Sequence, residues 1–149
     1  MLLRWLVAAL HLVALGIGLG SVWARGRALR GAPATDALRR AFYADTLWGI
    51  AAIVWIATGA ARAFGGLEKG TTYYVTNHVF WTKMALLGVI LVLEVMPAAT
   101  LVRWRMEMGR GGTPDTSRAG TLATISFAQA ALVIGMVFAA SAMARGFGH

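Results

Sequence analysis

Apolar residues run almost unbroken through four stretches of the chain, Leu2–Ala24, Phe42–Phe64, Val79–Val102 and Thr121–Ala144, with polar residues gathered between them. Each stretch has the ~20 residues that an α-helix needs to cross a ~30 Å hydrocarbon core. A helix also satisfies its backbone polar groups internally, as hydrocarbon requires. The pattern therefore predicts an all-α, integral membrane four-helix bundle. It forms one domain over residues 1–149, joined by short loops and carrying no soluble part of its own. Trp5, Trp23, Trp48, Trp81 and Trp104, with Tyr43, Tyr73 and Tyr74, fall towards the ends of the spans, as aromatic belts do; Trp55 lies mid-span. The first span leaves through Trp23-Ala24-Arg25-Gly26-Arg27, an aromatic and two arginines, which reads as a stop-transfer exit and not as a signal-peptide cleavage site.

The loops set the orientation. Arg25, Arg27, Arg30, Arg39 and Arg40 lie between the first two spans, and Arg103, Arg105, Arg110 and Arg118 between the last two. Arg4, Arg62, Lys69 and Arg145 are all that the opposite face offers. Positive residues collect on the cytoplasmic side, so both termini are expected on the outer side of the membrane. The loop 65–77, with Gly65-Gly66, Glu68, Lys69 and the Tyr73-Tyr74 pair, suits an ordered interfacial turn that caps the outer mouth. The loop 109–118 reads as a plain turn.

Composition narrows the function. Of 149 residues, 58% are hydrophobic and 13% charged. With no cysteine, disulfides, thiolate metal sites and cysteine nucleophiles are excluded. The net charge of +8 follows the span ends, so it is read as topology and not as affinity for nucleic acid. Paired catalytic carboxylates, a phosphate loop, a nucleophile elbow and an i, i+4 histidine pair are missing, which sets soluble hydrolase chemistry aside and leaves catalytic residues unknown.

Polar side chains inside the spans cost about 2.5–3.5 kcal/mol each at a helix centre unless they face the bundle interior or reach an interface. His11 sits about a third of the way into the first span, deep enough to need an internal partner. It reads equally as a functional imidazole, either an axial metal ligand or a proton relay, and as a core histidine bonded to a neighbouring helix. Lys83 falls near the level of His11, so the two either line one cavity or Lys83 snorkels outward; Arg62 reads as an interfacial anchor. Asp45 is expected to pair with Arg39 or Arg40. Glu94 is expected to be protonated, or bonded to Gln129 or an arginine. Gly16 and Gly20 form a small-xxx-small face for the close approach of another helix, and Pro97 predicts a kink used in packing.

Arg-Trp-Leu and Leu-His-Leu within residues 4–12, Ser-Val-Trp-Ala-Arg-Gly-Arg-Ala-Leu at 21–29, Trp-Gly-Ile-Ala-Ala at 48–52, Gly-Leu-Glu-Lys-Gly-Thr-x-Tyr-Tyr at 66–74 and Asn-His-x-Phe-Trp-x-Lys-Met at 77–84 carry a resemblance to a bacterial family of small four-helix membrane proteins of unknown function. The Leu10-His11 pair, Arg27 at the exit of the first span, and Trp81 with Lys83 are also distantly similar to the HemJ-type protoporphyrinogen oxidases. That family's Pro-Arg pair reads Gly26-Arg27 here, and its C-terminal Asn-Glu motif has no counterpart. The resemblance implies a His/Lys-lined pocket and haem b. His11 would then be the axial ligand to the metal, His78 a second candidate, and Lys83, Arg62 and Arg27 further contacts. A haem needs an apolar slot between helices, an imidazole and cations for its propionates, and the sequence offers all three.

Two readings lead. In one, the protein binds haem b and has a redox role, in electron transfer or porphyrin-related oxidation. In the other it is a non-catalytic subunit or assembly factor of a larger membrane complex or a homo-oligomer. A permease using His11, Lys83 and Glu94 is disfavoured by the lack of an internal repeat.

Overall fold

The computed structural model describes residues 1–148; His149, the last residue of the predicted single domain, lies outside them. The helices are α1 (Leu2–Leu29), α2 (Thr35–Phe64), the short α3 (Thr71–Thr76), α4 (His78–Gly109) and α5 (Ala119–Ala144). All but α3 are long and apolar enough to cross a membrane, so the chain is a multi-pass membrane protein in contact with the lipid bilayer. No strand occurs among the described residues. Each helix outruns its apolar stretch. Helix α2 begins at Thr35 and α4 ends at Gly109, because arginines and polar residues at a membrane surface are still good helix formers.

Short connections make chain neighbours antiparallel. Helix α1 packs against α2 and α5, and α4 packs against α5, while α2 and α4 barely meet. The bundle thus has two ends. One, the terminal end, holds the start of α1, the finish of α5 and α3; the other, the loop end, holds residues 30–34 and 110–118. At the loop end Leu29, Leu38, Leu101, Trp104 and Leu122 form a buried cluster. Ala63, Tyr74, Phe80 and Met143 do the same at the terminal end.

Close approach depends on particular glycines. A Cβ on Gly26 would lie 2.9 Å from Phe127 of α5, so glycine is what lets these helices touch there. Gly18 meets Trp48 and Ala51 of α2. Gly16 and Gly20, expected to provide the tight contact, have nothing within reach of a Cβ. They lie on the other side of α1 from the buried stripe Ala14, Gly18, Ser21, Val22 and Arg25. Pro97 is buried within a continuous α4.

The loop 65–77 is ordered, as expected. Asn77 caps α4 by accepting from the Val79 and Phe80 amides at 2.9 and 3.3 Å, and its own amide donates to the Phe147 carbonyl at 3.1 Å. The His78 amide donates to the Gly148 carbonyl at 3.1 Å, so the chain's end is tied to the start of α4. In the opposite loop the Asp115 carboxylate accepts from the Ser117 amide, which holds its pKa below the usual range.

Candidate functional site

Two polar sites sit inside the bundle, one towards each end. The terminal half encloses a cavity of about 480 Å³, within the range of small-molecule sites, with mostly apolar walls. Its polar lining includes His11 on α1, Arg62 on α2, Glu68 and Lys69 in the loop, Tyr73 and Tyr74 on α3, Lys83 on α4 and Ser141 on α5. His11 and Lys83, singled out from the sequence, therefore do line one cavity.

The His11 ring is oriented by α2. Its Nδ1 lies 2.9 Å from the Thr58 hydroxyl and 3.1 Å from the Trp55 carbonyl. That carbonyl can only accept, and the hydroxyl spends its proton on the Val54 carbonyl at 2.7 Å. Nδ1 therefore carries the hydrogen. In the neutral ring this leaves the Nε2 lone pair free, with no hydrogen-bond partner among the described residues, which is how a ligating histidine is usually held. The ring also stacks on Trp55, with centroids 5.7 Å apart at 23°, and lies so close to Gly59 that a Cβ there would be 3.2 Å from Cε1. The buried Trp55 Nε1 has no acceptor among the described residues.

The cations differ. Arg62 is paired with Glu68, Nη2 to Oε1 at 3.0 Å, at the rim. Lys69 reaches the Tyr73 hydroxyl at 3.2 Å, which donates to the Met143 carbonyl. Lys83 is half-buried and has neither ion-pair nor hydrogen-bond partner among the described residues. Two further candidates do not join them. His78 is exposed at the start of α4 and does not line the cavity. Arg27 is exposed and lies some 16 residues beyond His11 on α1, about 24 Å at 1.5 Å per residue.

The second site is built on Arg25, which the sequence reading placed among the loop arginines. It is 0% exposed and binds all three other long helices. Its Nε donates to Ser126 at 3.0 Å, Nη1 to Asp45 and to Glu94 at 2.8 Å each, and Nη2 to Glu94 at 3.0 Å and Gln129 at 2.7 Å. A guanidinium has five N–H donors, and all five are used. Glu94 also accepts from the Trp48 indole at 3.0 Å and the Gln129 amide at 2.8 Å. Asp45 takes Arg25 on one oxygen and Arg105, at 2.8 Å, on the other. Two arginines thus balance two carboxylates.

The expected partners of Asp45 were wrong for a helical reason. Helix α2 extends back to Thr35, so Arg39 and Arg40 precede Asp45 by six and five residues, off its face, and both are exposed. Glu94 is bonded to both Gln129 and an arginine. Every member of this cluster has its partners within the bundle, apart from the buried Arg105 Nε. The cluster reads as a clamp, while the cavity holds polar groups left without partners among the described residues, His11 Nε2 and the Lys83 ammonium.

Among the described residues no group of three or more His, Asp and Glu side chains is placed to hold a bare metal ion. Neither a curated protein nor a solved structure matches the chain. A family model does match, over residues 3–148 and so nearly the whole bundle, including both polar sites: the chain belongs to the family described as Predicted membrane protein (DUF2214).

Proposed function

We propose that this membrane protein binds haem b in the cavity of the terminal half and has a redox role, in electron transfer or porphyrin-related oxidation. The observation that carries the reading is the pairing of a fixed imidazole, its Nε2 free, with the unpartnered ammonium of Lys83 in one apolar cavity of about 480 Å³. The donor set fits the group: one neutral imidazole for the iron, and Lys83 with the rim cations Arg62 and Lys69 for the propionates. Bound there, haem supplies one-electron chemistry. The chain's own part is to fix the His11 ring through Thr58 and Trp55, to exclude water with apolar walls, and to balance carboxylate charge near the membrane surface.

With the arginine-rich loops on the cytoplasmic side of a bacterial inner membrane, this cavity lies in the outer half of the bilayer. Titration of haem into the detergent-solubilised protein tests the reading. Lys83→Ala is expected to weaken haem retention by about tenfold, the loss of one charge-assisted contact worth roughly 1.4 kcal/mol, without changing the spectrum of what remains bound. Equal affinity for the two proteins would remove Lys83 from the site.

One observation favours the second reading, a non-catalytic subunit of a larger membrane complex. Gly16 and Gly20 leave a close-approach face of α1 unused within this bundle. Co-purification of a stoichiometric membrane partner, lost in Gly16→Leu with Gly20→Leu, would support it.

A further inference from the structure

The cavity is walled unevenly. At its terminal end it is roofed by the buried cluster of Ala63, Tyr74, Phe80 and Met143, and the chain's end is tied down beside it through Asn77 and His78. Helices α1 and α5 behave differently along their length. Near the loop end they are in tight contact at Gly26 and Phe127, and Val22, Ala130 and Val133 are buried. Towards the terminal end the lining residues Leu12 on α1 and Val137 on α5 are 62% and 42% exposed. Ser141 and Ala144, one and two turns further along α5, also line the cavity and are exposed. The two helices are held together near the loop end, and towards the terminal end their lining residues are open to the surroundings, at a depth where these are lipid. Lys83, Arg62 and Lys69 stand nearer the membrane surface than His11, so charge is offered at headgroup level and apolar wall below it.

We infer that the site takes its ligand from the bilayer, as a carboxylate-bearing amphiphile that slides between α1 and α5 with its acid group towards Lys83. This rests on the binding reading above and adds the route and the chemical class; haem, with apolar ring and two propionates, is one member of that class. Arg62 and Glu68 already satisfy one another at the rim, which leaves the unpaired Lys83 as the group that selects for the acid.

The test uses the absence of native cysteine, which makes a single introduced thiol an unambiguous reporter. Ala140→Cys, on the cavity wall, is reconstituted in phosphatidylcholine vesicles and treated with a dodecyl maleimide dissolved in the lipid or with a charged, water-soluble maleimide. The lipid reagent is expected to label it, and adding Leu12→Trp or Val137→Trp to narrow the opening is expected to slow labelling by about tenfold. Adding Val13→Trp, on an exposed α1 position outside the cavity lining, is expected to leave the rate unchanged. Unchanged rates in both narrowing variants, or faster labelling by the charged reagent, would overturn the lateral route. Should haem fail to bind while labelling follows the expected pattern, the route stands and only the ligand named above falls.

Discussion

Replacing Glu94 with Gln preserves size and shape, so its effect isolates charge. In the Arg25 cluster it leaves two arginines facing the single carboxylate of Asp45. It also puts an NH2 group, which only donates, where four donors converge: two from Arg25, one each from Trp48 and Gln129. Breaking a buried ion pair from one side costs about 3–5 kcal/mol. The Glu94 side chain is 23% exposed and Asp45 still compensates Arg25, so the lower end, about 3 kcal/mol, applies. At roughly 2–4 °C per kcal/mol for a chain of this size, melting should fall by about 6–12 °C. Thermal unfolding in mild detergent, followed by far-ultraviolet circular dichroism, reads this directly. Glu68→Gln, which breaks the half-exposed rim pair with Arg62, serves as the control and should change stability by no more than about 1 kcal/mol. A Glu94→Gln protein that melts together with the control would refute the reasoning, since charge at position 94 would then not hold the helices together.

Three further outcomes follow from other parts of the molecule. Gly26→Ala drives a methyl group into the Phe127 ring and should destabilise the bundle by about 1–3 kcal/mol, read in the same melt; a neutral result would mean that α1 and α5 do not approach closely there. Lys69→Cys in intact cells should react with an impermeant maleimide, as the concentration of arginines in the opposite loops implies for the loop 65–77; labelling only after the membranes are opened would invert the topology. Gly59→Val should push His11 off its Thr58 and Trp55 partners, lowering haem affinity more than stability, whereas unaltered affinity would show that α2 does not position the ring.

Hydropathy alone was enough to find the four spanning helices, because ~20-residue apolar runs have few other uses. The same pattern put His11 and Lys83 at nearly the same level, and the fold brings them into one cavity with Lys83 closer to its terminal end. Arg25 was misread for a reason that shows the limit of such patterns. A basic residue at the end of an apolar run is ordinarily a topology marker, and Arg27 beside it is exposed as such a marker would be. What separates the two is helical phase: Ala14, Gly18, Ser21, Val22 and Arg25 share a face of small residues, while Arg27 points elsewhere. The charge balance held a second clue, since Asp45 and Glu94 inside the spans need cations, and only an arginine on an inward face supplies them. Arg105, about six turns past Lys83 on α4, reaches Asp45 and the Phe42 carbonyl across the gap between α2 and α4, a pairing that no local spacing announces. The tight contact at Gly26, in place of Gly16 and Gly20, likewise depends on which side of α1 another helix lies.

Whether His11 offers its free Nε2 to a haem iron in this cavity can be read from one absorption spectrum. The protein is purified in mild detergent from cells supplied with haem precursor, alongside its His11→Ala variant. A Soret band and reducible visible bands of b type are expected in the first, and their loss in the second. A protein without Soret absorbance, or a His11→Ala variant whose spectrum is unchanged, would contradict it.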